Sequence, residues 1–282
     1  MSASRANVST RPIGPSASTA SRVGPIMAIG GAEDKLDDKV ILSTFLQISG
    51  GSRARIVIVP TASSIESAGE RYKALFLGMG ADSVEVTFFG NRADAHRPSL
   101  IAALERATGI FLTGGNQLRL SSILGGTQAA EIIRRRNAEG ATVGGTSAGA
   151  SILSSHMVAY GASGNAPKQR MASMVAGFGL VPDVIIDQHF RQRDRIGRLL
   201  ALVAGNPRLL GVGVDEDTAI LIEGLEVMEV IGRHSVTVVD GRSMESNIHQ
   251  VKRYGDISVT GATLHMLTAG RRFLLTDRSV ID

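Results

Sequence analysis

Residues 143–151 have the sequence Val-Gly-Gly-Thr-Ser-Ala-Gly-Ala-Ser, an apolar start followed by small residues around Ser147. The pattern predicts a buried strand that ends in a sharp turn, with Ser147 at its apex. A nucleophile elbow has this form, because small neighbours let the strand, the turn and the next helix approach one another around a strained serine. A glycine-rich turn without chemistry also fits G-x-S-x-G, so the hypothesis depends on partners elsewhere in the chain.

Short apolar runs alternate with helical patterns on both sides of this stretch. Strands are predicted at 26–29, 55–59, 83–88, 109–112, 141–143, 181–186 and 209–214, and helices at 36–47, 66–77, 98–106, 128–137 and 191–203. This alternation predicts an α/β fold, a mostly parallel sheet with helices on both faces. Residues 219–275 contain strand-like runs between turn residues, which predict an antiparallel C-terminal extension of the same domain.

The composition limits the chemistry that the chain can perform. With 282 residues, of which 43% are hydrophobic, the chain can bury the core of one large domain. It contains no cysteine, which excludes disulfides, thiolate metal sites and cysteine nucleophiles. Covalent catalysis would therefore use serine, threonine or another side chain.

The charge and hydropathy patterns exclude two classes of partner. The net charge is +4, but the arginines are dispersed and aromatic residues make up only 4%, so we do not expect nucleic-acid binding. The longest apolar run, 199–204, is far shorter than the roughly 20 residues that span a bilayer.

Residues 1–22 contain six serines, three arginines and no acid. They resemble a transit peptide in composition but show no amphipathic helix, and we predict a disordered tail before a single domain at 23–282.

Polar residues follow four of the predicted strands. Since ligands of open α/β sheets gather at the carboxyl ends of the strands, these residues should converge on one edge of the sheet. The four segments are Gly-Gly-Ala-Glu-Asp at 30–34, Thr-Gly-Gly-Asn-Gln at 113–117, Asp-Gln-His-Phe at 187–190 and Asp-Glu-Asp at 215–217.

His189 is the histidine best placed to act as general base for Ser147, because it alone of the six histidines lies at a predicted strand end among polar residues. A carboxylate must then hold the imidazole tautomer. Glu216, at the next strand end, is our choice. Asp187, Asp215 and Asp217 are the competing candidates.

Four motifs together resemble the serine peptidase family that includes the cyanophycinases and the aspartyl dipeptidases. They are GGNQ at 114–117, GGTSAGA at 144–150, VIIDQHFRQRDRIGRL at 184–199 and GVGVDEDTA at 211–219. The resemblance implies a flavodoxin-like fold, as in the class I glutamine amidotransferases. It also implies a catalytic triad of Ser147, His189 and Glu216. Backbone N–H groups near Gly115 and Ala148 would form the oxyanion hole.

The resemblance also implies a substrate. It is cyanophycin, a polyaspartate whose side chains carry arginine in isopeptide linkage, and its α-peptide backbone would be cut to β-aspartyl-arginine dipeptides. The residues implied to line the substrate site are Gln117, Asp187, Gln188, Arg193, Arg195 and Arg198. Arginine forks suit the carboxylates of such a polymer, and acids suit its guanidinium groups.

The arrangement of the three arginines depends on where the helix begins. On a continuous helix Arg195 and Arg198 share a face while Arg193 lies about 160° from Arg195. If the segment begins as a loop, all three can face the cleft. The alternatives to a cyanophycin-cutting enzyme are an aspartyl dipeptidase of the same family and a non-catalytic amidotransferase-like binding protein. The resemblance implies neither a metal nor an organic cofactor. A cytoplasmic location and a homodimer are expected.

Overall fold

The computed structural model describes residues 23–281, so the tail predicted at 1–22 lies outside the described residues. The strands are β1 Ile26–Ile29, β2 Arg55–Val59, β3 Ser83–Val86, β4 Gly109–Leu112, β5 Thr142–Thr146, β6 His156–Gly161, β7 Ala172–Ala176, β8 Val184–Asp187, β9 Leu210–Val214, β10 Thr218–Glu223, β11 Val227–Gly232, β12 Ser235–Asp240, β13 Glu245–Ser246, β14 Val259–Thr260, β15 Thr263–Thr268, β16 Arg272–Leu274 and β17 Ser279–Ile281. The helices are α1 Val40–Ile48, α2 Glu70–Gly78, α3 Pro98–Arg106, α4 Gln117–Leu124, α5 Gln128–Ala138, α6 Ala148–Ser151 and α7 Ile196–Gly205.

A nine-stranded sheet forms the centre of the fold, in the order β17-β16-β11-β10-β1-β5-β4-β2-β3. Strands β1 to β5 are parallel, and β10, β11, β16 and β17 continue the sheet antiparallel from β1. This confirms the predicted α/β fold with a parallel sheet and an antiparallel C-terminal extension.

Both faces of this sheet are covered, which explains why central strands such as β1 and β4 are apolar at every position. In β1, Met27 and Ile29 pack on one side against residues of α1 and α2, where Phe111 forms an edge-on contact with Phe45 at 5.2 Å. Ile26 and Ala28 belong to the core on the other side, which includes residues of α3 and α5. Each face of β1 therefore has its own core.

The strands after the elbow differ from the prediction of one sheet. Strands β8 and β9 pair in parallel in a separate four-stranded sheet, in the order β15-β12-β9-β8, and α7 packs against it. It is β10 that pairs with β1 in the central sheet, so the chain crosses between sheets at 215–217. Asp217 has a φ of 47°, which helps to reverse the chain there.

The helix predicted at 36–47 begins later, at Val40, because Asp34 organises the preceding turn. Its carboxylate accepts hydrogen bonds from the backbone N–H groups of Leu36, Asp37 and Lys39 at 2.9–3.0 Å. These bonds hold the pKa of Asp34 well below its ordinary value. A side chain that bonds nearby backbone groups competes with helix formation. In residues 23–281, no helix is both long and apolar enough to cross a membrane.

Candidate active site

Ser147 lies in a strained turn between β5 and α6. Its φ of 54° and ψ of −114° fall outside the regions that non-glycine residues usually occupy. The turn is tight because Gly145 approaches Gly149, where a Cβ atom on Gly145 would lie 2.2 Å from the Gly149 carbonyl oxygen. The prediction of a sharp strand-to-helix turn at Ser147 agrees with this geometry.

The side chains of Ser147, His189 and Glu216 form a hydrogen-bonded chain. The Oγ of Ser147 lies 2.9 Å from Nε2 of His189, and Nδ1 of His189 lies 2.6 Å from Oε1 of Glu216. Neutral imidazole with its proton on Nδ1 can donate to the carboxylate and accept the serine proton at Nε2. The arrangement is suited to nucleophilic catalysis by a serine.

Residues from both sheets bring His189 to the serine. The N–H of His189 donates to the carbonyl of Gly30 at the end of β1, at 2.8 Å, and the N–H of Phe190 donates to the carbonyl of Val214, at 3.1 Å. The ring of His189 lies against Gly31, where a Cβ atom would come within 2.3 Å of Cε1. Gly31, which has a φ of 105°, thus leaves room for the imidazole. The Gly30-Gly31 pair after β1 was the sequence signal for this role, but the role itself was not predicted.

The surroundings of His189 favour the neutral base. Burial lowers the pKa of its imidazole, and the guanidinium groups of Arg193 and Arg195 act in the same direction. Glu216 opposes them through its hydrogen bond and its charge, but the net effect leaves the pKa below the ordinary 6.5. His189 is therefore unprotonated, and able to accept a proton, at neutral pH.

The three competing carboxylates have other partners. Asp215 accepts from the N–H of Arg191 and the hydroxyl of Ser235, at 3.0 and 2.9 Å. Asp217 accepts from the N–H of Asp34 and pairs with Arg233, and Asp187 pairs with Arg198. Of the four candidates, Glu216 is the one whose carboxylate contacts the imidazole.

The predicted oxyanion hole lies next to the nucleophile. Ala148 is the first residue of α6, directly after Ser147, and a Cβ on Gly114 would lie 3.3 Å from that of Ser147. The Gly114-Gly115 loop therefore packs against the serine. Among the residues that the structure describes, neither the N–H of Gly115 nor that of Ala148 donates to a protein acceptor. Both remain free to bind an oxyanion, and this role stays a prediction.

Two of the arginines predicted to bind substrate are engaged inside the protein. Arg198 forms a two-pronged ion pair with Asp187, with Nε 2.6 Å from Oδ2, and both side chains are almost fully buried. Arg195 donates to Oε1 of Gln188 at 3.0 Å and lies 3.5 Å from Asp187. Burial lowers the pKa of Arg195 to about 10. These contacts hold both guanidinium groups inside the protein.

Arg193 differs from the other two because its side chain is exposed. It lies in a 3₁₀ turn, Arg191–Arg193, and α7 starts only at Ile196, so the segment begins as a loop. Its charge is close enough to His189 to lower the pKa of the imidazole. Gln117, at the start of α4, instead donates to the carbonyls of Val158 and Ala159 at 3.2 and 3.0 Å.

No group of three or more metal-ligating side chains occurs in the part of the chain that the structure describes.

Comparison with known proteins shows relatives along most of the chain. The family described as Peptidase family S51 matches residues 26–230. A protein named Cyanophycinase from Trichormus variabilis is 42% identical over 259 residues, covering 91% of this chain and 87% of the relative. A Cyanophycinase from Synechococcus elongatus is 41% identical over 260 residues, covering 91% and 81%.

Two solved structures share the fold. The crystal structure of a peptidase from an acI-B1 actinobacterium has a TM-score of 0.68 at 21% identity, covering 91% of this chain and 98% of that one. A putative peptidase E protein from Listeria monocytogenes has a TM-score of 0.53 at 20% identity, covering 74% and 98%. At these identities the likeness concerns the fold alone.

Proposed function

The chain belongs to peptidase family S51, and we propose that it is a serine exopeptidase that hydrolyses the α-peptide backbone of cyanophycin to β-aspartyl-arginine dipeptides. The observation that carries the proposal is the continuous hydrogen-bonded chain from Ser147 through His189 to Glu216 at a strained elbow. The identity of 41–42% with proteins named Cyanophycinase supports the choice of polymer.

The geometry accounts for each step of peptide hydrolysis. The Oγ of Ser147 attacks the scissile carbonyl carbon while Nε2 of His189 takes its proton, and Glu216 stabilises the imidazolium through Nδ1. The N–H groups of Gly115 and Ala148 hold the oxyanion of the tetrahedral intermediate. His189 then gives the proton to the leaving amine, and water attacks the acyl-enzyme in the same way to release the product.

The positive charge beside the triad suits a polymer that carries carboxylates. Arg193 offers an exposed fork for an aspartyl carboxylate beside the histidine. We assign Arg195, Arg198 and Asp187 to a buried cluster that holds the Gln188–Arg193 loop in place, because both guanidinium groups already contact the carboxylate of Asp187. This replaces the expectation that all three arginines face the cleft and bind substrate.

The test is mass spectrometry of the products formed from purified cyanophycin. The wild-type chain should release β-aspartyl-arginine, and Ser147→Ala should lose several orders of magnitude in rate while its circular dichroism spectrum is unchanged. If Ser147→Ala hydrolysed cyanophycin at a rate within about tenfold of wild type, the assignment of the nucleophile would be contradicted. Preferential hydrolysis of free α-aspartyl dipeptides would instead identify an aspartyl dipeptidase.

We further expect that the chain forms a single domain at 23–282, assembles as a homodimer, is located in the cytoplasm and has no nucleic-acid partner.

A further inference from the structure

Glu33, in the loop after β1, has a buried carboxylate to which the proposed reaction assigns no step. Only 3% of the residue is exposed. The Oε2 atom accepts a hydrogen bond from Oγ1 of Thr146 at 2.6 Å. The Oε1 atom accepts from the hydroxyl of Tyr72 at 2.6 Å and lies 2.9 Å from Nζ of Lys35. Such a group is costly to bury and survives only with partners of this kind.

The carboxylate is ionised at neutral pH. Burial by itself raises the pKa of Glu33, but the ammonium of Lys35 and the hydroxyls of Thr146 and Tyr72 outweigh it and keep the pKa below its ordinary value. In turn, burial and the negative charge of Glu33 raise the pKa of Tyr72, which stays a hydrogen-bond donor. The contact with Thr146 is therefore a charge-assisted hydrogen bond, the stronger kind.

This bond acts on the residue next to the nucleophile. Thr146 is the last residue of β5 and pairs in register with Ile29, the last residue of β1. The N–H of Ser147 donates to the carbonyl of Ile29 at 3.0 Å. The backbone bond to Ile29 and the side-chain bond to Glu33 thus tie the start of the elbow to β1 and to the loop that follows it.

We infer that Glu33 is a positioning residue, which holds the backbone of the elbow in place through Thr146 and so keeps the Oγ of Ser147 in line with His189. The unusual φ and ψ of Ser147 persist only if the surroundings over-determine them, and the buried carboxylate supplies one such restraint. This inference rests on the proposed function, because it assigns the nucleophile to Ser147.

The same strand offers a matched control for a test. Thr146→Val removes the hydroxyl that contacts Glu33 with little change of shape. Thr142, at the other end of β5, is fully buried and donates to the carbonyl of Ile48 at 2.9 Å, so Thr142→Val removes a threonine hydroxyl and its neutral hydrogen bond from the same strand, far from the elbow. Any general cost of burying valine in place of threonine in this strand appears in both variants.

The measurement is the rate at which a small alkyl fluorophosphonate labels Ser147, mapped by mass spectrometry. In this reaction the serine oxygen bonds to phosphorus, fluoride leaves and His189 takes the proton. We expect Thr146→Val to react roughly 10- to 100-fold more slowly than wild type, because a small misplacement of a nucleophile has effects of that size. Thr142→Val should react within about twofold of wild type, and Thr146→Ser, which restores the hydroxyl, should recover most of the rate.

A double variant tests whether Glu33 is the partner. Glu33→Gln removes the charge and leaves one carbonyl oxygen for three donors. Combined with Thr146→Val, it should give a loss of rate smaller than the product of the two single losses, since both changes weaken the same contact. The inference would be overturned if Thr146→Val were labelled as fast as wild type, or if the two valine variants lost the same factor in labelling rate. It would also be overturned if the losses of Thr146→Val and Glu33→Gln were fully additive in the double variant. Failure of wild type to be labelled at Ser147 would instead overturn the proposed function.

Discussion

Replacement of Glu216 by glutamine tests the geometry of the triad most directly. The amide is close in shape to the carboxylate, but it carries no charge, and its NH₂ group can turn toward Nδ1 of His189 and favour the tautomer that cannot accept a proton at Nε2. The wild-type carboxylate lies 2.6 Å from Nδ1, the length of a charge-assisted hydrogen bond.

The size of the effect follows from that bond. A hydrogen bond to a charged group contributes about 1.5–3 kcal/mol, and each 1.36 kcal/mol corresponds to tenfold in rate. We therefore expect Glu216→Gln to lower the plateau of kcat about 10- to 150-fold. The effect should lie below the roughly 10⁴-fold loss known for a buried triad carboxylate, since the side chain of Glu216 is one-third exposed and water moderates its charge.

The pH profile gives the prediction a second, independent readout. Protonated His189 cannot accept a proton, so activity falls as the pH drops through the pKa of the imidazole, which burial places below 6.5. Glu216 raises that pKa, so its neutral replacement should move the acidic limb of kcat/KM to still lower pH. Steady-state rates of dipeptide release between pH 4.5 and 9 would measure both effects.

Asp217→Asn is the matched control, because this neighbouring acid contacts the N–H of Asp34 and Arg233 rather than the imidazole. Its rate and its acidic limb should stay close to those of wild type. An undiminished plateau in Glu216→Gln, or an acidic limb that moves to higher pH, would refute the role assigned to Glu216.

Two further predictions concern the surroundings of the triad. Gly31→Ala should lower kcat at least about 100-fold by displacing the ring of His189. The control is Gly80→Ala, also at positive φ but with nothing within 4 Å of the new Cβ, which should keep the wild-type rate. Equal rates of dipeptide release by the two variants, measured at a temperature where both are folded, would disprove the contact. Arg193→Ala should lower kcat/KM for cyanophycin by a factor that corresponds to about 1–3 kcal/mol, with an unchanged Tm. Arg198→Ala should destabilise the fold by about 3 kcal/mol, because the buried carboxylate of Asp187 loses its bidentate partner and keeps only Arg195, 3.5 Å away. Steady-state kinetics and thermal unfolding of both variants measure this contrast. If Arg198→Ala were as stable as wild type but bound cyanophycin weakly, Arg198 and not Arg193 would be the substrate-binding residue.

The central parallel strands were predictable because each is covered on both faces. Strands β1, β2 and β4 have the predicted bounds, since a short apolar run between turn residues leaves little choice of boundary. The order of elements around the elbow was predictable for the same reason. The approach of Ser147, His189 and Glu216 follows from the rule that strand ends share an edge, although the last two come from the second sheet.

The elements that were not predicted lack such a pattern. Helix α4 has eight residues and follows a glycine-rich turn, so its only strong signal was Asn116, whose side chain caps it. Strands β6 and β7 pair across a bulge, and no residue of β7 is fully buried, which leaves no clear alternation of apolar and polar residues. The partition of strands between the two larger sheets depends on long-range pairing, which local patterns do not encode.

The roles of the charged residues near the site depended on pairing that a sequence does not display. Asp187 and Arg198 are eleven residues apart, and a strand, a turn and a helix bring them into contact. The sequence alone could not distinguish an arginine that binds substrate from one that neutralises a buried carboxylate. The buried Glu33 was visible only as one of several polar residues after β1.

The connection from β9 to β10 has three residues, and its middle residue is Glu216. Its first residue, Asp215, is anchored to Arg191 and Ser235, and its last, Asp217, donates its N–H to the carbonyl of Gly31. An insertion or deletion of one residue here would turn the glutamate away from His189 even if both sheets kept their shape. Active relatives of this chain should therefore keep this connection at one length, while the loops at the opposite end of the strands are free to lengthen or shorten.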